Sequence, residues 1–130
     1  MQKLLIANWK ENPKTVNEAV ALFRAAAKMK TSKDVRTVIC PPFVYLEKLA
    51  SAMRALSGKN RVALGAQDVF WENEGSYTGE ISPNMLKNLG VEYVIVGHSE
   101  RRQWLGETDV MINKKIRAAQ DAGLRVVLCV

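Results

Sequence analysis

The chain has 130 residues, of which 48% are apolar and 25% charged, with a formal net charge of +6. That length suffices for one domain with a real core, and the composition argues against disorder. No apolar run reaches the roughly 20 residues of a membrane helix, the opening Met1-Gln2-Lys3-Leu4-Leu5-Ile6 is too brief for a signal peptide, and a cytoplasmic address is the expectation.

Taken in chain order, Lys3–Trp9 is a continuous apolar run that predicts a strand. After Pro13, Thr15-Val16-Asn17-Glu18 has the form of a capping box and opens a helix over Val16–Met29. A second strand is expected at Val35–Cys40, and after Pro41-Pro42 a helix over Phe43–Leu56 that stops before Gly58. The third strand, Arg61–Gly65, is followed by a stretch from Ala66 to Gly79 that exceeds the usual two to six residues of a βα connection. Val69, Phe70, Trp71 and Tyr77 make that stretch too apolar for a solvated tail, and interfaces enrich such aromatics. Ser82-Pro83 opens a helix over Asn84–Leu89, with Gly90 at its exit. The fourth strand is Val91–Val96, and Ser99-Glu100-Arg101-Arg102 reads as a short helical turn. Thr108-Asp109 opens a helix over Val110–Ala122, closed by Gly123, and Leu124–Val130 is the fifth strand.

The strands recur roughly 30 residues apart, the length of a βα unit, and are apolar throughout, as buried parallel strands are. Such units form a parallel sheet with helices outside it, joined by right-handed crossovers. An open doubly wound sheet and a closed eight-stranded barrel both fit that order. The turn after strand one, Ala7-Asn8-Trp9-Lys10-Glu11-Asn12, has no glycine, which counts against the dinucleotide-binding version of the open sheet. A closed barrel needs about 250 residues, so on that reading the chain is half of one.

The excess positive charge is dispersed among acidic residues and forms no polybasic stretch, so neither nucleic acid nor a membrane surface is the expected partner. An anionic small substrate or an acidic chain fits better. Cys40 and Cys129 close two apolar strands without metal-ligand spacing and read as buried, reduced thiols. In a barrel the catalytic groups project from the C-terminal ends of the strands. Those positions hold Asn8 and Lys10 after strand one, Gln67 and Asp68 after strand three, and Gly97, His98, Ser99 and Glu100 after strand four. An amide, an ammonium, an imidazole and a carboxylate on one rim suit an oxygen-rich anion whose charge grows during reaction.

Three motifs carry a resemblance. Ala7-Asn8-Trp9-Lys10, Gly75-Ser76-Tyr77-Thr78-Gly79-Glu80-Ile81-Ser82, and Val96-Gly97-His98-Ser99-Glu100-Arg101-Arg102 with Gly106-Glu107-Thr108 resemble, in order and spacing, those of the triosephosphate isomerases. The resemblance runs the whole chain. It implies an α/β fold, the N-terminal half of a TIM (β/α)8 barrel, with residues 1–130 forming one partial domain of strands one to five and helices one to four. It further implies interconversion of dihydroxyacetone phosphate and glyceraldehyde 3-phosphate through an enediolate, with neither cofactor nor metal. On that resemblance Lys10 binds the substrate and stabilises its developing oxyanion, and Asn8 donates to the substrate and to its neighbours. His98 is a neutral electrophile, whose imidazolium form the positive end of the turn at Ser99 disfavours. Glu100 organises Lys10 and His98. The loop bearing Tyr77 and Thr78 inserts into a second subunit, and Arg101 pairs with Glu80 of that loop.

The family's general base is a glutamate after strand six, and its lid and phosphate-gripping backbone come later still, so none lies in these 130 residues. Three readings stand side by side. The chain is half of an isomerase that works with a complementary C-terminal half-barrel, forming a homodimer of complete barrels. Alternatively it is an inactive, self-associating half-barrel with a structural or phosphate-binding role. The third reading, another sugar-phosphate barrel enzyme, fits the three motifs least.

Overall fold

A computed structural model describes residues 3–29, 32–56 and 62–130. Five parallel strands lie in sequence order in one sheet: β1 (Lys3–Asn8), β2 (Val35–Cys40), β3 (Val62–Ala66), β4 (Tyr93–Val96) and β5 (Arg125–Leu128). Between them run α1 (Val16–Lys28), α2 (Phe43–Arg54), α3 (Pro83–Asn88), α4 (Ser99–Leu105) and α5 (Asp109–Asp121). The sheet curls as half of a (β/α)8 barrel. The expected start of strand three at Arg61 and the helix stop at Gly58 lie outside the described residues.

The helix starts follow the local chemistry. Thr15 and Glu18 make the reciprocal capping box at α1, while Ser82 accepts from the Met85 N–H and places Pro83 in the first turn of α3. Thr108 accepts from the Met111 N–H to start α5. The structure adds one helix to the four expected. The turn at Ser99 continues for seven residues and ends on Gly106, whose φ of 65° places it in the left-handed region that favours glycine. Strand four is shorter than its apolar run. Val91 is 1% exposed, but its N–H goes back to Leu86, so it packs without joining the ladder.

The two sheet faces bury different things. Ile39, Leu64, Val94 and Val96 face the helices and pack with Phe23, Leu46, Leu49, Leu86, Ile112 and Ala119. Val38, Cys40, Ala63, Tyr93 and Ile95 pack against one another on the concave face, the interior of the barrel. Gly65 belongs to this face because nothing larger fits. A Cβ there would lie 2.4 Å from Cys40 Sγ and 2.9 Å from Val38 Cγ1.

Burial fades at both edges of the sheet. The three central strands are mostly buried, whereas Leu4 and Leu5 of β1 are 47% and 53% exposed and Leu128 of β5 is 47% exposed. Cys40 sits fully buried, which pushes its thiol up to about 12 and leaves it unreactive. Cys129 departs from the expected burial, being only partly covered, because the concave face lies open beyond β5. No described helix is long and apolar enough to cross a membrane.

Candidate active site

The C-terminal ends of β1, β3 and β4 meet around a cleft of about 700 Å³ lined by Asn8, Lys10, Gln67, His98, Glu100 and Trp104. Lys10 enters it from a strained turn. Its φ of 55° is left-handed, a conformation that costs a non-glycine residue about 1–2 kcal/mol. Two side chains hold it there. Asn8 Oδ1 accepts from the Lys10 N–H at 3.0 Å, and Gln67 Nε2 donates to the Lys10 carbonyl and to the Cys40 carbonyl, both at 2.9 Å. The Asn8 oxygen is therefore committed to turn backbone, leaving its NH2 as the remaining donor.

Across the cleft, Glu100 stands in the first turn of α4 and accepts from Lys10 Nζ at 2.5 Å. That hydrogen bond holds the Glu100 carboxyl below the ordinary glutamate range. The pair is half-exposed, so its value lies in aiming the ammonium more than in stability.

His98 caps α4. The Glu100 N–H donates to His98 Nδ1 at 3.3 Å. With Nδ1 accepting, Nε2 is the ring nitrogen left to donate. The Glu100 Oε2 atom, 3.5 Å from the same Nδ1, lies beyond hydrogen-bond length. One residue thus fixes both neighbours, with its carboxylate on Lys10 and its backbone on His98.

Behind α4 lies a buried cluster that the sequence did not disclose. Lys115 of α5 donates to Asp68 at 2.8 and 2.9 Å and to Glu107, and all three are nearly inaccessible. Arg101 completes it, with Nη2 3.0 Å from Asp68 and Nε 3.3 Å from Glu107. This corrects the expected pairing of Arg101 with Glu80. Two dehydrated carboxylates behind α4 draw the guanidinium inward, while Glu80 stays in water. Arg102 ties the same helix to the end of β4 and to α5, through Gly97 O at 2.9 Å and Asp109 at 2.6 Å.

The long loop after β3 has a core of its own. Phe70 stacks with Trp71 at 4.2 Å and with Tyr77 at 4.8 Å between ring centres, and the Phe70 N–H closes on Ile81 O at 2.9 Å. Tyr77, Thr78 and Glu80 face solvent.

The family model that matches residues 3–130 is that of triosephosphate isomerase.

The chain belongs to the triosephosphate isomerase family.

Among its relatives, the triosephosphate isomerase of Thermoanaerobacter pseudethanolicus is 47% identical over 131 residues, which take in 100% of this chain and 51% of the relative. That of Herpetosiphon aurantiacus is 48% identical over 128 residues, 98% of this chain and 49% of the relative. That of Moorella thermoacetica is 45% identical over 131 residues and is covered to 51%. The chain spans about half the length of the curated relatives it matches. Four of the eight βα units of a barrel, with the strand that follows them, fit that share.

Proposed function

We propose that these residues form the electrophilic half of a triose phosphate isomerase site, which interconverts dihydroxyacetone phosphate and glyceraldehyde 3-phosphate once strands six to eight complete the barrel. The observation that carries the reading is Glu100, whose carboxylate and backbone N–H hold an ammonium and an imidazole on one cleft. His98 Nε2–H donates to the substrate carbonyl while a base outside these residues takes the proton from the adjacent carbon. The electrons of that C–H bond form the carbon–carbon double bond of an enediolate, and the carbonyl oxygen gains the negative charge. Lys10 lies on the same side and lowers the cost of that charge. The proton returns to the other carbon while the hydroxyl hydrogen on the first carbon passes by way of the His98 imidazole to the former carbonyl oxygen. The carbonyl re-forms on the first carbon, so the reaction needs no electron acceptor.

The strained, doubly tethered backbone of Lys10 supports this reading, because pre-set geometry means less reorganisation at the moment of reaction. Replacing His98 by Gln in a completed barrel should lower kcat by about two orders of magnitude or more, with KM much less affected. A His98→Gln enzyme of undiminished kcat would remove the electrophile from the reading.

The loop over 66–79 serves, in this proposal, as the contact between two complete barrels, with Tyr77 and Thr78 at its tip. Glu80 and Arg101 belong to the same edge, although Arg101 is turned inward. Exchanging the loop for a short glycine turn should give monomers by sedimentation, and a persisting dimer would put the interface elsewhere. The address on this reading is the cytoplasm.

A further inference from the structure

The catalytic rim is only one end of the concave face. At the other end, where the strands begin, the alternation that points Val38 and Cys40 inward also points Arg36 inward, and the alternation of Val127 and Cys129 does the same for Arg125. Arg36 Nη2 holds both oxygens of Glu92, at 2.6 and 2.7 Å. Its Nε is buried and has no partner among the described residues. Arg125 Nη1 donates to Tyr93 Oη at 2.7 Å, with its guanidinium 5.4 Å from the centre of the Tyr93 ring. This foot of the barrel therefore holds, among the described residues, two guanidinium groups and one carboxylate, and that carboxylate is engaged by Arg36.

Arg125 lies on β5, the strand with an unpaired edge. It is exposed, and the only hydrogen-bond partner its guanidinium has among the described residues is a neutral phenol. Closing the barrel would place a strand against that edge and remove Arg125 from water. A dehydrated guanidinium whose hydrogen bond goes to a phenol, and whose neighbouring carboxylate Glu92 is already held by Arg36, is strongly disfavoured, and a further carboxylate offers the fork geometry it fits.

We propose that the strand that pairs with β5 presents a carboxylate into the barrel, level with Arg125, and that this charge selects the segment that closes the sheet. The occupant is the segment carrying strands six to eight, either on the same polypeptide or as a separate chain. A second copy of these residues is disfavoured by the same chemistry. It would set the same positive foot against this one, and it would bring ten strands to a barrel of eight. The proposal rests on the half-barrel reading of the fold, and adds to it the chemistry by which the complement is recognised.

The test uses the 130-residue chain with a segment of strands six to eight from a family relative, prepared with Glu, Gln or Lys at the inward position level with Arg125. Association is followed by calorimetry and sedimentation, so no turnover is required. The Glu segment should bind at least tenfold more tightly than the Gln segment, and the Lys segment more weakly still. Arg125→Met should erase the difference between Glu and Gln, whereas Arg125→Lys should keep most of it. Because Arg125 is exposed in the free chain, neither substitution empties a core, and circular dichroism of the free chain checks its fold. Equal binding of the Glu and Gln segments, or a Glu preference that survives Arg125→Met, overturns the proposal and leaves the half-barrel reading intact. Failure of every segment to bind overturns both.

Discussion

Replacing Lys115 by Met should destabilise the completed barrel by several kilocalories, although the two side chains are close in length. Lys115 is 2% exposed and donates twice to Asp68 and once to Glu107. The side chains of Asp68 and Glu107 are themselves only 6% and 2% exposed, so water cannot replace the lost ammonium. Arg101 would be left as one cation between two buried carboxylates. Removing one member of a buried ion pair costs about 3–5 kcal/mol, and the remaining Arg101 sets the expected loss near the lower end. For a barrel of some 250 residues, a loss of about 3 kcal/mol lowers Tm by roughly 6–12 °C. The effect has a pH signature. Burial already raises the Asp68 carboxyl above its ordinary value, against the hydrogen bond from Lys115. Without Lys115 it rises further, so the folded variant binds a proton more tightly than the unfolded chain does. The variant's deficit is therefore largest at neutral pH and shrinks as pH falls through the raised value. Urea unfolding at pH 8 and pH 5 measures both. A loss below about 1 kcal/mol, or a deficit independent of pH, would refute the account of the cluster.

Two other substitutions probe the cleft and the interior. Gly65→Ala should cost about 1–3 kcal/mol by overpacking, since its methyl group meets Cys40 Sγ at 2.4 Å. Adding Cys40→Ala should recover part of that loss in thermal unfolding, and its failure to do so would place the strain elsewhere. Because the hydrogen bond from Lys10 lowers the Glu100 carboxyl, the paired carboxylate should stay ionised to a lower pH than a free glutamate, and Lys10→Met should return its midpoint upward. Carbon-detected NMR titration of the Glu100 carboxyl reads this directly, and an unmoved midpoint would mean that the pair does not persist in solution.

The order of strands and helices was legible because each strand is a continuous apolar run and most helices announce their ends. Thr15 with Glu18, Ser82 with Pro83, and Thr108 each cap where their spacing says they should. Helix α4 was read only as a turn because it has no buried side chain, and so no apolar period to reveal its length. The rim residues Asn8, Lys10, His98 and Glu100 could be named from their places after strands and from the family motifs. Their hydrogen bonds depend on three-dimensional closure. The partner of Arg101 was misread for the same reason. Asp68, Glu80 and Glu107 are equally plausible carboxylates in sequence, and only burial tells which of them most needs a cation. Lys115 shares a helix with Lys114 and Arg117, and nothing local marks it as the buried one. Gln67 was visible as a rim residue, but its grip on Lys10 and Cys40 joins segments far apart in the chain.

The most direct test of the central claim is to measure triose phosphate isomerisation by the polypeptide of residues 1–130, alone and after co-expression with a segment supplying strands six to eight. On the proposed reading the rim polarises a carbonyl and stabilises an oxyanion, but Glu100, the carboxylate that the described residues seat between Lys10 and His98, is committed to Lys10. Loss of a general base forfeits about two to four orders of magnitude by itself. The account predicts that the polypeptide alone shows at most trace turnover, that the complement restores it, and that Lys10→Met or His98→Gln abolishes the restored activity. Robust turnover by residues 1–130 alone, lost on Lys10→Met, would contradict it and show that the base lies among these residues.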